Sequence, residues 1–323
     1  MALGPGAEFD LIRAVLSGAP EPGPDVLLGP GDDAAVVGDG WVLSTDLSVE
    51  DVHFRRRWMS DHEVGFRATA AALSDLAAMA AEPVGVLVSL ALPAGGSVDA
   101  VGLNRGVQEA AALVGATVLG GDVSRSPGPV FIDVTVVGRA RHAALRSGAR
   151  PGDEVWVTGA LGGAAAALLR WQEGAEPPPD LRDAFVRPTP RIAAARGLAA
   201  AGVVRAMVDV SDGLAGDAGH LAAAGGVKVV LVAASVPVAV GVAEGVGAAR
   251  ALEAALHGGE DYELCFVAPP GSVDREALSA TAGVPLTRVG RVEEGAGVWL
   301  EGPDGSVVPL ARGGYDHLAG GRP

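Results

Sequence analysis

The chain has 323 residues, enough for two domains of ordinary size, and its 49% hydrophobic and 20% charged residues exclude a disordered protein. The formal net charge of -15 argues against non-specific nucleic-acid binding, because an acidic surface repels a polyanion. A single lysine, Lys228, and a single cysteine, Cys265, disfavour Schiff-base chemistry, disulfide bonds and cysteine-based zinc sites.

No signal peptide is predicted, because the first residues lack a basic segment followed by an apolar one. The uncharged, strongly apolar stretch of residues 229–242 contains Pro237 and is shorter than the ~20 residues of a membrane helix. We therefore expect a soluble, cytoplasmic protein that has neither a membrane nor a nucleic acid as its partner.

The first half of the sequence predicts helices that alternate with strands. The clearest helix spans Asp61–Ala81, where Phe66 and Leu73 belong to an apolar series at helical spacing, and Pro83 stops the pattern. The stretch Val130–Val137 alternates as a sheet strand does, with a semi-apolar second face for helices or a partner subunit to cover. Further predicted elements are the helix Glu8–Leu16, the strands Ala34–Val37, Trp41–Ser44, Val84–Leu92 and Thr117–Leu119, and an alanine-rich helix that ends near Val114.

A turn-rich segment, residues 146–153, marks a predicted domain boundary. It divides the chain into an N-terminal domain, residues 1–148, and a C-terminal domain, residues 149–323. The second half again alternates strands with helices and contains a predicted exposed loop with three consecutive prolines. The segments concerned are the strands Glu154–Thr158, Ala206–Val208 and Leu264–Val267, the loop Glu173–Asp180, and a helix beginning near Leu214. The fold class predicted is α/β, two domains with mixed sheets.

Oxygen-bearing side chains recur at predicted strand ends in the first half. Asp32 and Asp33 follow a Gly-Pro-Gly turn, and Ser44, Thr45 and Asp46 end an apolar strand. Hydroxyl and carboxylate oxygens are the ligands that Mg²⁺ prefers. Each group has an ordinary alternative as a surface turn or an Asx turn.

Asp75, His53 and Asp122 complete the first-half candidates. Asp75 lies in an apolar helix with few polar neighbours, where a buried charge is costly unless it is paired or bound to metal, so we favour a functional role over a solvated boundary position. His53 follows in a loop, where a structural hydrogen bond is the ordinary alternative. The Gly120-Gly121-Asp122 sequence lets a ligand approach the backbone and adds a carboxylate, or is a plain turn.

Two further acidic loops lie in the second half. Asp209, Ser211 and Asp212 occupy a turn before a helix; one of them would suffice as a cap, and helix N-termini attract phosphate. Glu260 belongs to a loop, residues 258–263, whose acids either bind a polar ligand group or form an ordinary acidic loop. Together these loops predict metal-bridged phosphate binding, since α/β folds bind ligands at strand ends.

Two common nucleotide-binding patterns are excluded. The P-loop needs a lysine followed by serine or threonine, but Lys228 precedes Val229. The protein-kinase pattern needs a strand lysine and an H-R-D loop, and neither is present.

The chain closely resembles the thiamine-monophosphate kinase family, which belongs to the aminoimidazole ribonucleotide synthetase-like superfamily. The resemblance runs over residues 29–266, with GYDH near residue 315, and rests on the motifs GPGDDAAVV, LSTDLSVEDVHF, ATAAALSDLAAMAAEP, LGGDVSRSPGP, RSGARPGDEVWVTGALGGAAAALL, RPTPRI, VDVSDGL and HGGEDYELCF. It implies a homodimer whose N-terminal domains pair into a β-barrel, and ATP-dependent phosphorylation of thiamine monophosphate to thiamine diphosphate.

The resemblance also implies roles for the candidate residues. Several Mg²⁺ ions would be held by Asp32, Asp33, Ser44, Thr45, Asp46, Asp75, Asp122, Asp209 and Asp212. ATP would be bound by Gly121, Asp122, Arg146 and Ser211, and thiamine monophosphate by His53, Glu260 and Tyr315. The family usually has an aromatic residue after GYDH, where this chain has Leu318.

The chemistry of the implied reaction suits aspartates that hold metal rather than move protons. The nucleophile is a phosphate oxygen that is already ionised at neutral pH, so positioning and charge neutralisation suffice. Alternatives are a non-catalytic nucleotide or metal sensor, and other ATP-using members of the superfamily. Selenophosphate synthesis would need a cysteine near the N-terminus and hydrogenase maturation one at the C-terminus, and Cys265 is at neither place.

Overall fold

The computed structural model describes residues 7–310 and contains two open, mixed β-sheets. The first sheet is built from the first half of the chain, whose elements are α1 (Ala7–Leu16), β1 (Val26–Leu28), β2 (Ala35–Val37), β3 (Trp41–Val49), α2 (Asp61–Ala78), β4 (Glu82–Pro93), α3 (Ala100–Leu113), β5 (Thr117–Ser126) and β6 (Phe131–Arg139). Its strand order is β1-β2-β3-β6-β4-β5; β4 and β5 run parallel and the other pairs antiparallel.

The second sheet has the order β13-β12-β9-β11-β7-β10-β8, in which only β9 and β12 are parallel. The elements of this half are β7 (Glu154–Thr158), α4 (Gly163–Gln172), α5 (Pro179–Val186), α6 (Ile192–Ala200), β8 (Ala206–Val210), α7 (Leu214–Gly225), β9 (Lys228–Val232), a 3₁₀ turn (Ala233–Ser235), α8 (Val242–Val246), α9 (Ala248–His257), β10 (Glu263–Ala268), α10 (Arg275–Ala282), β11 (Leu286–Glu293), β12 (Gly297–Glu301) and β13 (Val307–Pro309). The irregular segment between β6 and β7 is where we place the domain boundary, which stays a prediction.

Helix α2 is buried on most sides, as expected of a helix that is apolar all round. It starts at a capping box in which the Ser60 hydroxyl accepts from the Glu63 amide and the Glu63 carboxylate accepts from the Ser60 amide at 2.8 Å. It packs so closely on α3 that a Cβ at Gly65 would lie 2.0 Å from the Leu103 carbonyl oxygen. The helix thus fills the space between the first sheet and the second half of the chain.

The first sheet has an inner face, which packs on α2 and carries Ser44 and Asp46, and an outer face, which carries Thr45 and Leu47. The predicted alternation over Val130–Val137 is confirmed: the even-numbered side chains are buried and the odd-numbered ones are partly exposed. Because successive side chains point to opposite faces, neighbouring residues of β3 enter different environments.

Three strands that carry candidate residues are longer than predicted. β8 continues to Val210 because it pairs with β10, so Asp209 lies in the strand and not in the turn that follows it. β3 continues to Val49 because it pairs with β6 along its whole length, so Ser44, Thr45 and Asp46 lie within the strand and not at its end. β5 continues to Ser126 because it pairs with β4, so the Gly120-Gly121-Asp122 sequence is not a turn. The predicted proline loop is shorter than expected, since α5 begins at Pro179. Within residues 7–310, no helix combines the length and apolar character needed to cross a membrane.

Candidate active site

A cavity of about 450 Å³, an ordinary volume for a ligand site, lies between α2, β3 and the second half of the chain. Its walls include five of the predicted acids, two arginines and several aromatic side chains. The lining residues include Asp46, His53, Arg55, Trp58, Arg67, Asp75, Phe185, Asp209, Ser211, Asp212, Glu260 and Tyr262.

Three aspartates from separate elements form an acidic cluster at this cavity. Asp33, Asp75 and Asp209 each offer a carboxylate oxygen, and these oxygens lie within 4.8 Å of one another. Burial, and then the neighbouring charge of Asp209, holds the pKa of Asp75 well above its usual range. Burial, and then the charge of Asp33, raises the pKa of Asp209 to about 7. The cluster therefore holds more negative charge than the protein around it balances.

Asp75 reaches the cluster from α2, and the inner face of β3 supports it. The Ser44 hydroxyl donates to Asp75 Oδ2 at 2.5 Å, and Asp46, two residues further along the same face, lines the cavity. The sequence predicts few polar partners for Asp75 within its own helix, and in the structure its hydroxyl partner, Ser44, comes from the sheet.

Asp32 and Asp33, adjacent in sequence, have different surroundings. Arg146 donates to Asp33 Oδ1 at 2.6 Å, while Asp33 Oδ2 is buried and has no hydrogen-bond partner among the described residues. Asp32 instead accepts the backbone N–H groups of Arg146 and Asp33, each at 3.1 Å. Asp33 thus belongs to the cluster, and Asp32 shapes the loop that presents it.

The turn after β8 brings Ser211 and Asp212 to the cavity. It interlocks with the loop before β10: the Glu260 amide donates to the Ser211 carbonyl at 2.7 Å, and a Cβ at Gly259 would lie 2.4 Å from that oxygen. Buried Asp217 accepts the Asp212 amide at 3.1 Å. The two loops predicted separately from sequence are therefore one structural unit.

Glu260 is the acid of its loop that lines the cavity. Its carboxylate accepts from the Tyr262 hydroxyl at 2.6 Å and from buried Arg67, whose guanidinium lies 3.7 Å from the Phe185 ring centroid. Glu260 and Tyr262 both adopt positive φ, 64° and 50°, a costly backbone conformation that is common at functional sites.

The other acids of this loop have structural roles. Asp261 accepts the Gly162 amide at 2.8 Å, and Glu263 accepts from Thr158 and Arg191 at 2.6 and 2.7 Å. His53 accepts the Val49 amide at Nδ1, at 3.1 Å, while also lining the cavity.

The donor set of the acidic cluster fits a hard divalent cation. Its ligand atoms are carboxylate oxygens, the kind that Mg²⁺ prefers, and the Oδ2 atom of Asp33 is buried with no hydrogen-bond partner among residues 7–310. A bound cation would satisfy that oxygen and offset the repulsion between the carboxylates.

Comparison with known proteins shows the family. The family models described as AIR synthase related protein, N-terminal domain and C-terminal domain, match residues 31–140 and 150–301. A thiamine-monophosphate kinase of Rhodopirellula baltica is 37% identical over 304 residues, covering 88% of this chain and 90% of the relative. The chain belongs to the thiamine-monophosphate kinase family.

Solved structures of this family share the fold. A structure titled AaThiL complexed with AMPPCP and TMP has a TM-score of 0.80 and 33% identity to this chain, and covers 96% of it and 95% of its own length. Hydrogenase maturation protein HypE, at 20% identity and a TM-score of 0.74, covers 93% of this chain and 97% of its own length and shares the fold alone. The chain has the two-domain AIR synthase-related α/β fold, with mixed sheets.

The structure of this family member separates the predicted residues into two sets. Asp33, Ser44, Asp75 and Asp209 meet at the cluster, and a further five residues lie beside it or along the same cavity. Those five are Asp46, His53, Ser211, Asp212 and Glu260.

Three predicted residues are not brought to the cluster within one chain. Thr45 lies on the outer face, where its hydroxyl donates to Asp133 at 2.8 Å. Gly121 and Asp122 lie on β5, separated from β3 by β6 and β4. Three strand spacings amount to roughly 14 Å, too far to share one ion directly. Tyr315 and Leu318 lie outside the described residues.

Sequence patterns did not predict that Arg55, Trp58, Arg67 and Phe185 line the cavity. Trp58 stacks on Trp171 with ring centroids 5.2 Å apart, and Arg67 reaches Glu260 from a helix 193 residues earlier. Such partners are distant in sequence or look like ordinary core residues, so local patterns do not reveal them. The arginine run before Trp58 was the one available clue.

Proposed function

We propose that this protein transfers the γ-phosphoryl group of ATP to thiamine monophosphate, producing thiamine diphosphate and ADP. The observation that carries the proposal is the Asp33–Asp75–Asp209 cluster, with its unpartnered carboxylate oxygen, at a cavity that also contains Glu260 and His53. Membership of the thiamine-monophosphate kinase family, and a similar structure titled as a complex with AMPPCP and TMP, support it.

Several Mg²⁺ ions are part of the proposal. Asp33, Asp75 and Asp209 would hold one. Ser44 is hydrogen-bonded to Asp75, and Asp46 and Asp212 lie close enough for their charges to raise the pKa values of Asp75 and Asp209, so these three residues and Asp32, next to Asp33, would contribute to it or to a neighbouring ion. Bound Mg²⁺ would neutralise the phosphate charges that an acidic protein otherwise repels. Arg146, held by Asp33, and Ser211 would contact ATP.

The residues of the chain need not remove a proton from the acceptor. The attacking oxygen of a phosphate monoester is ionised at neutral pH, and the His53 Nδ1 atom already accepts a backbone N–H. Arg67 and Tyr262 orient the Glu260 carboxylate. The 211–213 and 258–262 loops are hydrogen-bonded to each other and would hold bound ATP and thiamine monophosphate in a fixed relative position. Catalysis would then rest on alignment and charge neutralisation.

A homodimer formed through the outer face of the first sheet is also proposed. Leu47 and Leu87 on this face are 51% and 39% exposed beside the polar group Thr45, Asp133 and Thr135, and a partner sheet would cover these leucines. Pairing of two such sheets would close the β-barrel expected from the resemblance. In such a dimer Thr45, Gly121 and Asp122 would lie near the interface, where they would be able to contribute to a site of the partner subunit. We place the enzyme in the cytoplasm.

The decisive experiment is incubation with ATP and Mg²⁺, with and without thiamine monophosphate, followed by chromatography. We expect ADP and thiamine diphosphate to appear in equal amounts and only when the acceptor is present. ATP binding without substrate-dependent ADP would instead support the non-catalytic sensor, and ADP formed only with another acceptor would support a different superfamily activity.

A further inference from the structure

Two arginines among the described residues line the cavity, and they differ in whether a carboxylate balances their charge. Arg67 is buried, and its guanidinium is already paired: it donates to the Glu260 carboxylate and to the Phe185 carbonyl. Arg55 is half-buried, and no carboxylate among residues 7–310 lies within ion-pair distance of it. Arg55 is therefore the guanidinium at this cavity whose charge the described residues leave unbalanced.

The loop between β3 and α2 holds Arg55 in place. Phe54 is buried and bridges Glu50, and the Arg55 guanidinium carbon lies 4.6 Å from the centroid of the Trp58 ring. Trp58 is itself fixed by stacking on Trp171. A guanidinium stacked on an immobilised aromatic ring loses little further freedom when it binds an anion.

The neighbouring arginines differ from Arg55 in ways that make them useful for comparison. Arg56 is ion-paired with Asp61 at 2.7 Å and does not line the cavity. Arg57 lies over the same ring, 5.0 Å from its centroid, but it is exposed and lies outside the cavity walls. Of this run of three, Arg55 alone combines cavity access with an unpaired charge.

We propose that the Arg55 guanidinium binds the phosphate of the acceptor, thiamine monophosphate. The inference rests on the proposed function and deepens it. Apart from the two arginines, the aspartates and the glutamate that line the cavity would repel a phosphate dianion unless a cation faces it. A guanidinium fork matches a phosphate group with paired hydrogen bonds.

The position of Arg55 suits the acceptor rather than ATP. It lies two residues after His53, on the loop that follows β3, whereas Asp75 and Asp46 mark the part of the cavity assigned to metal and ATP. From Asp46 to the end of β3 at Val49 the strand advances roughly 10 Å. In-line transfer requires the acceptor phosphate to lie beside the γ-phosphate, so Arg55 would hold the acceptor where the two parts of the cavity meet.

The test compares Arg55→Gln with Arg57→Gln, its matched control, using two probes that differ by one phosphate. Binding of thiamine monophosphate and of thiamine is measured by calorimetry at fixed Mg²⁺, and the KM values for thiamine monophosphate and ATP by steady-state kinetics. We expect Arg55→Gln to weaken thiamine monophosphate binding about 10- to 100-fold, the range for a hydrogen bond to a charged group. Thiamine binding and the KM for ATP should change by less than about threefold.

Two controls separate binding from folding. Arg57→Gln should leave both ligands unaffected, and Arg55→Lys, which keeps the charge, should restore part of the affinity. Both glutamine variants should unfold within about 4 °C of the unaltered protein, since a single cation–π contact outside the core contributes little to stability.

Several results would overturn the assignment. They are an unchanged affinity for thiamine monophosphate in Arg55→Gln, an equal loss for thiamine, or a rise confined to the KM for ATP. If the unaltered protein makes no thiamine diphosphate, the proposed function fails and the acceptor assigned to Arg55 fails with it. If it does and Arg55→Gln binds normally, only the Arg55 proposal fails.

Discussion

The two faces of the first sheet carry similar side chains in different environments. On the inner face, Ser44 donates to Asp75, whose pKa is raised by burial and by neighbouring carboxylates. On the outer face, Thr45 donates to Asp133 at 2.8 Å and contacts Thr135 at 3.1 Å, in an exposed polar group. The difference between a metal-type site and a surface hydrogen bond is here a shift of one residue along β3.

The largest expected effect is that of removing an inner-face charge. We predict that Asp75→Asn, and likewise Asp46→Asn, lowers turnover at least about 100-fold while the fold is retained, because a cation ligand is lost. The metal-free Asp75→Asn protein should be no less stable than the original, since repulsion within the cluster falls. Steady-state kinetics and thermal unfolding check both parts.

The matched control for this prediction is Asp133→Asn, which makes the same change on the outer face. We expect its turnover to stay within about threefold of the original, provided that assembly is unchanged. Equal losses of turnover in Asp75→Asn and Asp133→Asn would contradict the proposed functional difference between the two faces.

The second prediction concerns the apolar residues of the outer face. Leu47→Arg should weaken self-association at least about 100-fold, because it places a charge in the proposed apolar interface. Val101→Arg alters an apolar residue on α3 that is more exposed, 69% against 51% for Leu47, and should have no such effect. Light scattering during size-exclusion chromatography measures both, and a Leu47→Arg protein that remains dimeric would place the interface elsewhere.

The third prediction concerns pH. Burial and the charge of Asp33 raise the pKa of Asp209 to about 7, and Mg²⁺ binding requires the ionised carboxylate. Mg²⁺ affinity should therefore rise by up to about tenfold per pH unit below pH 7 and level off above it. Calorimetric Mg²⁺ titrations between pH 5.5 and 8.5, which span about 1.5 units on each side of this pKa, test the rise.

Metal-free stability should change with pH in the opposite direction. The folded state holds the Asp209 proton more tightly than the unfolded state, whose aspartate pKa is about 3.9. Its stabilising contribution is thus complete below about pH 4 and lost as pH rises through 7. In Asp209→Asn this fall in the unfolding temperature should be smaller; an identical pH profile would contradict the assignment of this pKa.

The smallest expected effect is that of Thr45→Val. Its hydroxyl bonds to Asp133 in an exposed setting, so we expect turnover within about threefold of the original and a stability loss of about 1 kcal/mol or less. A loss as large as that of Asp75→Asn would instead assign Thr45 to the metal site, through a second protomer.

The inner-face candidates could be selected from the sequence because they carry local signals, and their role as a metal site stays a prediction. Asp75 stands out as a charge in an apolar helix, and the acidic glycine-rich turns around Asp33 and Asp209 are unusual in composition. Sequence reasoning placed Ser44, Thr45 and Asp46 correctly in a strand region but ended the strand too early, since polar residues within a fully paired strand look like a loop.

By itself the sequence determined the fold class, most element positions and the set of acids that could serve phosphate chemistry, because periodicity and turn residues are local properties. The tertiary structure decided which acids meet. In the structure Asp33 joins the cluster, whereas Asp32 accepts backbone N–H groups. The side chains of Ser44 and Thr45 lie on opposite faces of the sheet because β3 is pleated. The tertiary structure also paired Arg67 with Glu260 while leaving Arg55 facing the cavity. Such pairings depend on side-chain direction and on contacts between distant segments, which no local pattern encodes.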